Sequence, residues 1–345
     1  MHMADALISP AVGGAMWAAT AGLTAYSARK LKENPDEHRV PLMGVLGAFI
    51  FAAQMINFTI PGTGSSGHLG GGMILAILLG PYGAFLTMAS VLTIQALFFA
   101  DGGLLALGGN IFNLAFFPCF IAYPLIYKKI VGERPTPGRI LSGATVAAIL
   151  ALQLGAFAVV LETWFSGISE LSFPAFVLLM QPIHLAIGIV EGLVTAAVVS
   201  FVWKAHPHIL TPVSAVPGDR AHSHKPLWLG LALVTVVTAG GLSWFASTHP
   251  DGLEWAIQGV SGKEELPAPK EGAHGTLAWI QEQLSFLPDY DFKRPQGERE
   301  AKKEESWPDV SAGKSLAGIL GAGMTLLLAG VIGLGLRRYY SPGKG

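Results

Sequence analysis

The chain predicts an all-α polytopic membrane protein, and three observations carry that prediction. Only 13% of its 345 residues are Asp, Glu, Lys or Arg; mean hydropathy is +0.50; and the charges cluster in a few stretches, with long apolar runs between them. A soluble domain carries about 25% charged residues, and a membrane-crossing helix needs about 20 mostly apolar ones. The net charge of −1 argues against a nucleic-acid partner, since no excess of cations is available to neutralise phosphates. The single cysteine, Cys119, lies inside an apolar run and excludes a disulfide framework or a cysteine metal site. No basic segment precedes the first run, so no cleaved signal peptide is expected.

Nine apolar runs follow in order, at about 10–28, 41–60, 70–80, 81–99, 110–127, 139–165, 173–203, 227–247 and 315–336, and each reads as one span. The first carries Ala11, Ala15, Ala18, Ala19, Gly22 and Ala25, a small-residue stripe that allows close helix approach. The second ends near Gln54 and Asn57, polar groups able to orient a neighbouring site. The third is short and stops at Gly80-Pro81, where proline removes a backbone donor, so a tight reversal into the fourth is expected. The fifth is preceded by Asp101 and opens on Asn110 and Asn113, which serve either as helix caps or as groups that orient His2 or His68. The seventh holds His184 and Glu191, two turns or about 10 Å apart on one face. Ionisable groups at that depth face a bundle interior, as structural bridges or as functional groups.

Lys and Arg mark the cytoplasmic side of membrane proteins. Here Arg29, Lys30, Lys32 and Arg39 follow span 1, Lys128, Lys129, Arg134 and Arg139 follow span 5, Lys204, Arg220 and Lys225 follow span 7, and Arg337, Arg338 and Lys344 close the chain. The alternate connections 1–9, 61–69, 100–109 and 166–172 have no Lys or Arg. An odd span count with a cytoplasmic C-terminus places Met1 outside, together with His68 and Asp101. Domains are expected at 1–205, a membrane domain; 206–226, a cytoplasmic linker with His206, His208, His222 and His224; and 227–345, a detachable two-span module. Between its two spans lies an extracytoplasmic insertion of about 248–314. Residues 248–312 hold 13 Asp/Glu against 7 Lys/Arg, and much of this stretch reads as loosely ordered. Its start, Asp251 followed three residues on by Glu254, reads as a helix-capping pair.

The amino terminus is the sharpest candidate site. In Met1-His2-Met3 a metal bound by the Met1 amine and the deprotonated His2 amide closes a five-membered chelate, and the same amide with His2 Nδ1 closes a six-membered one. His68 is the candidate for the fourth corner, within a loop holding Gly62, Gly64, Gly67, Gly70, Gly71 and Gly72, which lets backbone approach closely. Planar four-nitrogen coordination suits Ni(II) or Cu(II) and disfavours tetrahedral Zn(II). The plainer alternative is a frayed His2 and a His68 in a flexible turn.

Met1-His2-Met3, Gly67-His68-Leu69-Gly70-Gly71-Gly72, the segment from Asp101 to Asn113, and His184 to Gly192 together resemble the CbiM/NikM family over about residues 1–205. The tail, with Pro250-Asp251-Gly252-Leu253-Glu254, is similar to the NikN-type PDGLE module. The resemblance implies an S-component-like bundle of about seven spans, plus the two-span module, acting as the substrate-capture component of an energy-coupling-factor importer in the cell membrane. It implies Met1, His2 and His68 as metal ligands, Ni(II) as transported substrate with Co(II) as the alternative, and no cofactor. It further implies a transmembrane coupling protein and cytoplasmic ATPase subunits as partners, with the span 1 stripe either docking the coupling protein or packing internally. The chain has no Walker A stretch, since Gly259 to Lys263 lacks its spacing, so ATP hydrolysis is left to the partners and the chain is not expected to be an enzyme. Asn57, Asp101, Asn110 and Asn113 are the candidates for orienting the ligands. A rival reading is an intramembrane serine protease, from Gly64-Ser65-Ser66-Gly67 with His184 as base. A passive channel or sensor is a third.

Overall fold

The computed structural model describes residues 2–33, 40–205, 225–293 and 307–338. In chain order these form α1 (Pro10–Glu33), α2 (Val40–Gln54), β1 (Phe58–Ile60), β2 (Ser65–Gly67), α3 (Gly72–Phe99) and α4 (Leu107–Val131), then α5 (Pro137–Ser166), α6 (Phe173–Ala205), α7 (Lys225–Gly240), α8 (Gly252–Ser261), α9 (Gly272–Leu284) and α10 (Ala312–Arg338). Five of these, α3, α4, α5, α6 and α10, are long and apolar enough to cross a membrane, and shorter apolar helices span Leu42–Gln54 and Trp228–Gly240. Each of the nine apolar runs lies at least in part on a helix, and the helix of the eighth ends at Gly240, short of 247. The second run stops at Gln54 instead of continuing to 60, because Phe58–Ile60 pairs antiparallel with Ser65–Gly67, Thr59 opposite Ser66.

The element α3 is a hairpin of two helical arms. Gly80 inside it has φ 75° and ψ 168°, a conformation open essentially to glycine alone, and Pro81 starts the second arm. One side chain shows that the arms are antiparallel: Gln54 donates to the carbonyl of Gly70 at 2.8 Å and accepts from the side chain of Gln95 at 2.8 Å. In a straight helix residues 70 and 95 would stand about 38 Å apart. The expected reversal is therefore present, and it returns the chain to the face it left.

This hairpin is the centre of the molecule. Met73, Ile74, Leu75, Phe85, Met88 and Val91 are all fully buried, whereas α5, α6, α7 and α10 turn Leu150, Leu154, Leu185, Ile189, Leu233 and Leu327 outward. Large apolar side chains on the rim match a hydrocarbon surrounding and leave the interior to tight packing. Where α5 and α6 cross, a Cβ at Gly192 would stand 2.5 Å from the Thr145 Cα and one at Gly188 3.0 Å from the Ile149 Cα, the close approach that small residues permit.

The C-terminal module is built into the bundle, which corrects the expectation of a detachable unit. The Phe51 ring of α2 fills the space beside Gly321 of α10, and a Cβ at Gly44 would meet the Leu326 carbonyl at 2.7 Å. Its insertion is ordered over 248–293, against the expectation of a loose segment, because α8 and α9 find partners in the first domain. Trp255 donates to the Thr63 carbonyl at 3.0 Å, and the Gln281 amide donates to the carbonyls of Ala96 and Gly102 at 2.9 and 2.8 Å.

Candidate metal-capture site

Residues 2–9 form an arm that is tied down along its length. Asn110 brackets Met3 from both sides, its Oδ1 accepting from the Met3 N–H at 2.8 Å and its Nδ2 donating to the Met3 carbonyl at 3.1 Å. The Gly103 N–H also donates to that carbonyl at 2.9 Å, and Asp5 accepts from the Ala106 N–H at 3.0 Å. From the insertion, His274 Nε2 lies 3.1 Å from the Asp5 carbonyl and 2.9 Å from that of Ile8. Both partners are acceptors, so this nitrogen carries the proton. Met3 is fully buried, and the frayed-terminus alternative does not describe this arm.

The loop carrying His68 is held as firmly. The Glu191 carboxylate accepts from the N–H groups of Gly70 at 2.8 Å and Gly71 at 3.0 Å, so from α6 it ties down the glycine loop. Gly71 has φ 77°, and a Cβ there would meet Ile50, so glycine serves both conformation and space. On the module side, the Ser66 N–H donates to the Pro250 carbonyl at 2.8 Å and its hydroxyl to the His249 carbonyl at 2.8 Å.

These two scaffolds bring His2 and His68 together, with ring centroids 5.0 Å apart and planes 14° from parallel. His68 Nδ1 lies 3.1 Å from the Leu69 carbonyl. A carbonyl only accepts, so Nδ1 is protonated and Nε2 keeps its lone pair. His2 Nδ1 lies 3.3 Å from Asp101 Oδ1, and His2 Nε2 is buried without a hydrogen-bond partner among the described residues. The other Asp101 oxygen accepts a short hydrogen bond from the Tyr290 hydroxyl. Burial pushes the His2 imidazole down to about 3 and that of His68 to about 4, so both rings are neutral near pH 7 and offer lone pairs. Burial pushes Asp101 upward. It also acts to raise Asp251, but neighbouring positive charge and the Glu254 N–H outweigh it and leave that carboxyl below its usual range.

Asp251 is the residue that sequence reasoning treated only as a cap. It does cap α8, with Oδ1 accepting from the N–H groups of Leu253 at 2.7 Å and Glu254 at 2.9 Å, while Glu254 accepts from the Asp251 N–H at 2.9 Å. Its Oδ2 meanwhile lies 4.0 Å from His68 Nε2. A cavity of about 580 Å³ opens beside these groups, lined by His2, His68, Asp101, Asp251, Glu254 and Tyr290 among others. Among the described residues no three His, Cys, Asp or Glu side chains are arranged to hold a metal ion. Met1 itself lies outside the described residues.

The remaining candidates separate. Asn57 lines the same cavity, and its carbonyl accepts from the Ser247 N–H at 2.7 Å. Asn113 turns to Glu162, donating to its Oε2 at 3.1 Å. Neither Asn110 nor Asn113 caps α4: Asn110 is spent on the arm. His184 Nδ1 lies 2.8 Å from the Met180 carbonyl of its own helix, and its ring packs where a Cβ on Gly252 would stand. Because the Ser66 hydroxyl is bonded to a carbonyl and His184 to its own helix, the protease pair does not form. The linker histidines His206, His208, His222 and His224 lie outside the described residues, as do Arg39, Arg220 and Lys344 of the charge pattern.

With this geometry in place, the chain can be set beside known proteins. Residues 2–209 match the family model described as the cobalt uptake substrate-specific transmembrane region, and residues 225–338 match the PDGLE domain. The chain is 31% identical over 312 residues to the fused nickel transport protein NikMN of Rhodobacter capsulatus, covering 84% of this chain and 88% of that one. It is 30% identical over 257 residues to the cobalt transport protein CbiM of Geobacter sulfurreducens, covering 70% and 72%. A crystal structure of a truncated transition metal transporter superposes with a TM-score of 0.53 at 31% identity, covering 60% of this chain and all of that one.

Proposed function

The chain belongs to the CbiM family of cobalt-uptake substrate-specific transmembrane regions, carries a PDGLE domain behind it and is a membrane component of metal transport; from that premise we propose that it captures Ni(II) at its amino terminus for an ATP-driven importer. The observation that carries this reading is the meeting of His2 and His68, from segments far apart in sequence, as two largely enclosed neutral imidazoles with ring centroids 5.0 Å apart. The Met1 amine, the His2 amide nitrogen, His2 Nδ1 and His68 Nε2 then make four nitrogens suited to a square-planar ion. The ion is substrate here, released inward. Binding releases the amide proton and the proton of the terminal ammonium to solvent, whereas the two neutral rings bind without first losing one.

The Lys and Arg pattern supports an extracytoplasmic site and a cytoplasmic C-terminus. In the proposed cycle a transmembrane coupling protein and cytoplasmic ATPase subunits reorient the chain, which itself has no P-loop. Nickel is preferred over cobalt because the fused architecture is shared with the relative named for nickel transport. The cobalt reading stands as the alternative because other relatives are named for cobalt.

Uptake of trace Ni(II) and Co(II) in competition, in cells carrying the partner subunits, tests both levels. Ni(II) uptake is expected to dominate and to vanish in His2→Ala, in His68→Ala, and when one residue is inserted before His2. Uptake surviving the insertion would refute the chelate, and uptake surviving loss of the ATPase would favour a channel.

A further inference from the structure

Resting on the capture reading, we propose that Asp251, supplied by the C-terminal module, is the counter-charge of the loaded metal site. A divalent ion held by a neutral amine, a deprotonated amide and two neutral imidazoles carries a net charge of +1. The site is enclosed, with the side chains of His2 and His68 only 8% and 10% exposed, and an unpaired charge at such a place is costly. Two carboxylates face the rings, and their other bonds divide their roles. Asp101 lies 3.3 Å from His2 Nδ1 with one oxygen and accepts the Tyr290 hydroxyl on the other, so part of its charge is already met by a hydrogen bond outside the ligand set. Asp251 commits Oδ1 to the two N–H groups that cap α8 and directs Oδ2 toward His68 Nε2, the nitrogen with the lone pair.

The separation is the informative quantity. At 4.0 Å the pair is beyond hydrogen-bond reach, while an ion bonded to Nε2 at about 2 Å comes within close electrostatic range of that oxygen. The carboxylate cannot retreat from this place. Pro250 is tied to Ser66 through its carbonyl, and Gly252 is packed so closely that a Cβ would stand 2.9 Å from Ile187 and 3.3 Å from His184. The cap fixes the side chain, and the module thereby completes the electrostatics of a site whose ligands all come from the first domain.

Asp251→Asn tests this, because asparagine caps a helix about as well as aspartate and removes only the charge. In the full chain purified in detergent and titrated with Ni(II) alone, the affinity is expected to fall about tenfold or more. The visible spectrum of the bound ion should stay that of the unaltered chain, since the ligands are retained. Asp251→Ser, a second uncharged cap, should lose as much, and Asp251→Glu should recover part of the affinity. Wild-type affinity in either uncharged variant overturns the proposal. So does equal loss in Asp251→Glu and Asp251→Asn with unchanged thermal transitions. The capture reading fails by a different result, Ni(II) binding that persists in His2→Ala, whatever Asp251→Asn does.

Discussion

Asn110 does the work of a backbone segment. By accepting from the Met3 N–H and donating to its carbonyl, it gives the buried arm the pairing that a neighbouring strand would supply, one residue from His2. Replacing it with leucine leaves the Met3 N–H without its partner in an apolar surrounding, where an unsatisfied group costs about 1–3 kcal/mol, while the Met3 carbonyl keeps the Gly103 N–H. Asn110→Leu should therefore lower the thermal transition of the purified chain and weaken Ni(II) binding, whereas Asn110→Asp, which keeps the acceptor, should lie between. Glu191 acts in the same way on the loop of the other proposed ligand, His68. A carboxylate accepting two N–H groups makes charge-assisted bonds that a neutral amide does not match. Glu191→Gln is expected to reduce Ni(II) affinity measurably but by less than His68→Ala, read by the same titration. Both residues were visible in the sequence as polar groups on apolar spans. Their partners were not, because a hydrogen bond to a backbone 107 or 121 residues away leaves no local signal.

At the level of elements, the α3 hairpin decides which loops meet. By folding back at Gly80 it delivers His68 before its first arm and Asp101 after its second to the same face, and His2 touches both. Gly80 holds φ 75° with ψ 168°, and a side chain there costs about 1–3 kcal/mol of strain. Gly80→Ala should accordingly depress the melting temperature in detergent, while Pro81→Ala, which only restores a donor at the start of an arm, should have a smaller effect. The short third run and its Gly-Pro end announced this turn. The two-stranded ribbon after α2 went unannounced, because Phe58-Thr59-Ile60 reads as the tail of an apolar span and pairs only through contact with a segment of serines and glycine. A sheet this small draws its stability from what it packs against, here the module's His249 and Pro250 carbonyls.

Over the whole molecule, the two family domains form one packed body. The seat of Phe51 beside Gly321 and the close approach of Gly44 to the Leu326 backbone join α10 to α2, and α8 and α9 roof the arm and the glycine loop. Thermal unfolding of the full chain should thus show one transition for both halves. Gly321→Val, which drives methyl groups into the Phe51 ring, should lower that transition by an amount corresponding to about 1–3 kcal/mol of overpacking. Two separate transitions, or an unchanged one, would contradict this picture.

What the amino-acid sequence determined alone was everything carried by composition and periodicity. Scarce charge and apolar runs specified helices in a membrane, and a histidine at position two with another among glycines specified where metal chemistry is possible. Hydropathy is a property of each segment by itself, so it survives being read in one dimension. Only the tertiary structure decided that the arm is buried, that Glu191 and Asn110 hold the two loops in place, and that the acidic insertion closes over the site. In the sequence Asp251 and Glu254 form a helix cap and nothing more. The same cap faces His68 because folding sets a carboxylate 183 positions downstream within 4.0 Å of its Nε2, and that proximity comes from packing, which no local pattern encodes.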